Sequence, residues 1–241
     1  MSDQTPKKKS NIRVIGFALL VSVICSLLIS AAAVGLKDRQ LANMALDKKI
    51  NLLKAANLFQ GEKQSAKRAA TLFSEHIKEV RVDSQGKTID TYVPDSLNLY
   101  LIHDKGQING YVIPINTRGL WGKIQGYLAF ENDGQTVSGF SVFSHSETPG
   151  LGGEIESAWF QKNFKGKKIL NSQNEFVSVR IAKGDVENLP ANLQGHYVDG
   201  ISGATLTGKY LSEGIKETLT QYNPVSVTFR QKQLKMKDIE E

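Results

Sequence analysis

The 241-residue chain has one cysteine, Cys25, and it lies inside a hydrophobic run. A lone thiol excludes an intramolecular disulfide and any cysteine-based metal or iron–sulfur site. The four histidines, His76, His103, His145 and His196, never adopt the His-Glu-x-x-His spacing that sets two imidazoles on one helix face, so no metal site is expected. Gly-x-Gly-x-x-Gly is missing, which removes the usual dinucleotide-binding turn. The central region mixes both signs of charge and lacks any run of Lys and Arg interleaved with aromatics, which argues against nucleic acid as a partner. Without internal repeats or low-complexity blocks the chain is not an array, and one soluble domain is the economical reading.

What the chain does have begins at Val14. Up to Leu36 it carries no charge, about 23 residues, enough to cross roughly 30 Å of hydrocarbon as a helix. Ala31-Ala32-Ala33 would suit a signal-peptidase site, but the apolar stretch is longer than the ~7–15 residues of a signal core. A retained membrane anchor is therefore expected. Lys7, Lys8, Lys9 and Arg13 precede it while Lys37, Arg39, Lys48 and Lys49 follow, so the charge rule leaves its orientation near a tie. Arg230, Lys232, Lys235 and Lys237 make the other end basic as well, and basic ends on a net charge of +6 suit anionic lipid.

Beyond the anchor, Leu41, Met44, Ala45, Leu52, Leu53 and Ala56 keep partial helical spacing and predict a stalk. Ala66, Ala69, Ala70, Phe73, Ile77 and Val80 predict a second helix with Ser65 as its N-cap. From Asn98 the period changes to that of strands: 99–102, 108–115, 124–130 and 137–143, with hairpins at Lys105-Gly106 and Asp133-Gly134. A short helix over 157–164, a strand over 176–181 and a helix over 205–222 follow. The class is α+β with an antiparallel twisted sheet. The expected divisions are an N-terminus at 1–13, a transmembrane helix at 14–36, a helical stalk and packing helices at 37–82, a main domain at 83–223 and a basic tail at 224–241.

The last helix is legible because Leu206, Tyr210, Leu211, Ile215, Leu219 and Tyr222 fall mostly three or four apart. It is entered through Asp199-Gly200-Ile201-Ser202-Gly203-Ala204-Thr205-Leu206-Thr207. Thr205 sits at its N-terminus, where free N–H groups and the positive end of the dipole favour a phosphate and Gly203 and Ala204 permit close approach. Such a string alone is usually a turn and an N-cap. Here it is accompanied by Gly119-Leu120-Trp121 and by His145-Ser146-Glu147-Thr148-Pro149-Gly150-Leu151-Gly152-Gly153-Glu154-Ile155. Together with the anchor, these motifs resemble the C subunit of the Na⁺-translocating NADH:quinone reductase, over most of the chain from the anchor to Tyr222; the G subunit of the Rnf electron-transport complex is the related alternative.

That resemblance implies FMN joined by a phosphoester to a threonine hydroxyl, set there by a flavin transferase with FAD as donor. The matching residue is Thr205, with Asp199, Ser202, Gly203 and Ala204 matching the rest of the motif and Thr207 a second hydroxyl two residues on. The Glu147–Gly153 loop would form one wall: Thr148 and loop amides binding phosphate or ribityl oxygens, Leu151 packing on the ring, Gly152 allowing close approach. Glu147 would bond ribityl hydroxyls or amides, and Trp121 would stack near the flavin or face another member of the complex. Gly208 departs from the family pattern, which has Ser there. The family implies an exported domain with the short N-terminus cytoplasmic, in a bacterial inner membrane. The chain would be an electron relay with no catalytic proton donor or nucleophile. NADH and ubiquinone would be reached through other subunits of the complex, and electron transfer would be coupled to sodium export. A membrane-anchored binding or scaffold domain on the same fold is the non-redox alternative.

Overall fold

The computed structural model describes residues 11–59, 66–89 and 93–231. Ser65, the lysines at 7–9 and those beyond Gln231 lie outside the described residues, and so do the roles assigned to them. The chain forms two units, Met1–Ala45 and Leu46–Glu241. Helix α1 covers Asn11–Ala55. Within the first unit its side chains are exposed on every side, Phe17, Leu20, Leu28 and Val34 included. A helix apolar all round and unburied by protein has the length and composition to cross a membrane.

In the second unit the last turns of α1 change character and bury Leu52, Leu53 and Ala55, and Ala56 just beyond the helix is buried too. Helix α2, Ala66–His76, is shorter than the sequence pattern implies. Ile77 and Val80 belong instead to strand β1, Ile77–Val82. The β-branched Ile-Lys-Glu-Val-Arg-Val segment fits both periods, and pairing against β3, Leu97–Asp104, decides in favour of strand. Strands β2 (Thr88–Ile89), β4 (Gln107–Arg118), β5 (Lys123–Glu131) and β6 (Val137–Ser144) complete an antiparallel sheet in the order β2-β1-β3-β4-β5-β6. The turn between β3 and β4 has positive φ at Lys105 (48°) and Gly106 (78°), the primed geometry that matches strand twist. β4 and β5 pair without interruption from Gly110↔Glu131 to Arg118↔Lys123.

Both faces of this sheet are covered. Val112, Tyr127 and Ala129 point to the α1 end and α2. Tyr111, Ile113, Ile124, Leu128 and Phe130 point to the other layer. That layer is built from α3 (Ala158–Lys162), α5 (Thr205–Gln221) and α6 (Asn223–Arg230). The expected strand over 176–181 is reduced to β7, Arg180–Ile181, which pairs in parallel with β8, Tyr197–Val198; α4, Ala191–Gln194, precedes β8. The expected tail from 224 also differs, because α6 is an integral helix. Val225, Ser226 and Phe229 are buried, the Phe229 ring lies 4.3 Å from that of Tyr111, and the Tyr111 hydroxyl is 2.9 Å from that of Ser226.

Candidate functional site

The site lies where α5 begins. The turn before it is closed by the Ala204 N–H donating to the Ile201 carbonyl (3.0 Å), and Gly203 has φ +73°, a conformation that favours glycine. A Cβ at Gly203 would also stand 2.7 Å from Leu151 Cδ2, so the turn is pressed against the 147–153 loop. Ala204 is the N-cap residue, and no side chain caps the helix. The first N–H groups of α5 thus keep their capacity to bind an anion.

Thr205 and Thr207 share this first turn and meet opposite surroundings. Thr205 is exposed. Thr207 is 1% exposed and donates its hydroxyl to Glu147 Oε2 at 2.5 Å. Leu206 is exposed as well, so the apolar stripe of α5 is carried by Thr207, Gly208, Leu211, Gly214, Ile215 and Leu219 rather than starting at Leu206. Gly208 has a packing reason: a Cβ there would come within 3.1 Å of Ile181 Cγ2, and the glycine lets β7 close on α5. Ser212 secures the same contact by accepting the Ile181 N–H (2.9 Å).

Glu147 is the buried centre of the opposite wall. It is 5% exposed, and its Oε1 accepts the Trp121 N–H at 3.1 Å. Its own N–H donates to His145 Nδ1 (3.1 Å), which leaves the His145 proton on Nε2, 3.2 Å from Glu156 Oε2. Gly119 and Gly152 make room for the carboxylate: a Cβ at Gly119 would run into Oε1, and one at Gly152 would lie 2.8 Å from Oε2 and 2.5 Å from Thr207 Oγ1. The Thr148 carbonyl accepts the N–H groups of Leu151 (3.2 Å) and Gly153 (2.9 Å), which folds the loop and leaves Leu151 half exposed. Trp121, 69% exposed, stands at the turn between β4 and β5.

The structure thus brings Gly203, Thr207, Glu147, Leu151, Gly152 and the Trp121 backbone into one assembly. Asp199 is used differently. Its Oδ1 accepts the Val186 N–H (2.7 Å) and fixes the neighbouring loop, onto which Gly200 closes with an N–H bond to the Gly184 carbonyl (2.9 Å). Beside Thr205 runs a groove of about 590 Å³ with a floor of Ile181, Ala182 and Leu189 and with Arg180, Lys183, Lys209 and Lys216 among its walls. These cations escaped the sequence reading. Only the fold brings the 180–183 segment alongside α5, and the sole prior signal was the basic residue repeated at 209 and 216 on one helix.

A family model described as an FMN-binding domain matches residues 119–220. The C subunit of the Na(+)-translocating NADH-quinone reductase from Vibrio campbellii is 33% identical over 81% of this chain and 85% of the relative. Its counterpart from Pseudomonas aeruginosa is 32% identical over 84% and 88%. Among solved structures, the C subunit from Parabacteroides distasonis superposes with a TM-score of 0.68 at 30% identity, over 79% of this chain and 96% of that one. NqrC of Shewanella oneidensis, 20% identical, shares the fold with a TM-score of 0.66 over 79% and 99%.

Proposed function

The chain belongs to the family formed by the C subunits of the Na(+)-translocating NADH-quinone reductases, and we propose that within such a complex it carries FMN esterified to Thr205. The membrane-anchored chain would relay electrons on the path from NADH to ubiquinone, coupled to sodium export. The observation that carries this reading is the contrast in the first turn of α5. Thr205 offers an exposed hydroxyl at an uncapped helix N-terminus, whereas Thr207 is buried and bonded to Glu147.

The residues present fit a flavin phosphate. Gly203 and Ala204 admit it to the helix end, and the Lys183 and Lys209 side chains line the adjoining groove. Ser202 is exposed in the same turn and would bond the phosphate, and Thr148 would bond ribityl oxygens. Leu151 and Trp121 present apolar surface to the ring, and Gly152 keeps that wall thin. Asp199 would act through the loop it fixes. The bound flavin supplies electron transfer; the protein binds, orients and insulates it, and no side chain need act as acid, base or nucleophile in the relay. A covalent link suits a domain on the far side of the inner membrane, where a lost cofactor is not readily replaced. We place the N-terminus in the cytoplasm and the domain in the periplasm. A flavin transferase and the other reductase subunits are the partners this requires.

Co-expression with a flavin transferase tests the assignment. The intact mass should rise by one FMN less one water, the gain should disappear in Thr205→Ala, and it should persist in Thr207→Ala. An unmodified wild-type chain beside an active transferase would remove the flavin reading.

A further inference from the structure

Glu147 carries a buried carboxylate whose polar partners are neutral: the Trp121 N–H at Oε1 and the Thr207 hydroxyl at Oε2. Neither ion pair found among the described residues involves it. Both oxygens accept, the pattern of an ionised carboxylate. A buried charge without a countercharge weakens a fold, and here a neutral glutamine would serve the same two partners. Its oxygen would accept from Trp121 and its amide would donate to the Thr207 oxygen. The tie therefore explains the side chain's length and burial, but not its charge.

Thr207 stands two residues after Thr205 in the same helical turn, and Trp121 belongs to the facing wall. A fixed negative charge at that point acts on electrons arriving at a group attached to Thr205, and Glu147 itself is 5% exposed, so water screens it less than a surface carboxylate. We propose that Glu147 is a positioning residue that holds the start of α5 to the Trp121 turn, and that its charge lowers the reduction potential of the flavin. This rests on FMN attachment at Thr205, but it goes further in giving Glu147 a role that needs no contact with the cofactor.

The test uses the full chain in detergent, loaded with FMN by the transferase, and compares wild type, Glu147→Gln and Thr207→Val in midpoint potential and in flavin fluorescence anisotropy. Glu147→Gln keeps the tie and loses the charge. It should bind FMN, retain wild-type anisotropy and shift the potential upward by at least a tenfold change in the reduction equilibrium, about 30 mV for a two-electron couple. Thr207→Val loses the tie, so anisotropy should fall. A Glu147→Gln potential equal to wild type, or a Thr207→Val anisotropy equal to wild type, overturns the proposal. A wild-type chain that takes up no FMN would instead strike the attachment at Thr205.

Discussion

At the scale of single residues, the site depends on a few side chains placed where their neighbours leave no alternative. Gly152 is a clear case, with both Thr207 Oγ1 and Glu147 Oε2 inside the space of a missing Cβ. Neither atom ends a flexible chain free to swing away, since the two are hydrogen-bonded to each other. Gly152→Ala should therefore cost about 1–3 kcal/mol by overpacking, read as a lower midpoint in denaturant unfolding. The motif around Thr205 was legible in the sequence because small residues before an amphipathic helix have a local meaning. The place of Glu147 was not. Its partners are 26 and 60 residues away, and only the folded sheet joins them.

Among the elements, α6 is the one the sequence hid. It has eight residues and a polar surround, too short for periodicity to stand out, although Val225 and Phe229 stand four apart and Pro224 opens the helix. What makes it a helix is the surface it covers, where Phe229 lies against Tyr111 and Tyr111 against Phe130. Phe229→Ala should lower stability by about 3–5 kcal/mol in chemical unfolding, the range for a large aromatic lost from a core. The β3–β4 and β5–β6 hairpins could be read in advance, since Lys105-Gly106 and Asp133-Gly134 specify turns by local chemistry. Ile77–Val82 could not, because three β-branched residues spaced at three and two satisfy either period until a partner strand is present. The two-residue β7 was overestimated for a related reason: over 176–179 only an isolated bridge between Leu170 and Phe176 takes the place of a ladder.

At the scale of the whole molecule, the two layers over the sheet come from opposite ends of the chain, and buried tyrosines lie in both. Burial raises the pKa of Tyr111, opposed by the Ser226 hydrogen bond and the Arg230 charge; burial also raises those of Tyr127 and Tyr222. In the unfolded chain these phenols ionise near pH 10. Because the folded state binds their protons more tightly, stability is intact below that pH and is lost as pH climbs above it. Alkaline titration should show part of the phenolate absorbance appearing together with the loss of circular dichroism, after the exposed tyrosines have ionised. The arrangement also bears on the order of synthesis. All six strands of the large sheet precede residue 145, while the first turn of α5 and the α6 cover are among the last described segments to be translated. A ribosome that stalls between residue 145 and Thr205 releases a chain with every strand of that sheet and without the Thr205 hydroxyl. With FMN attached at Thr205 as proposed, flavin loading would mark a chain translated through to α5.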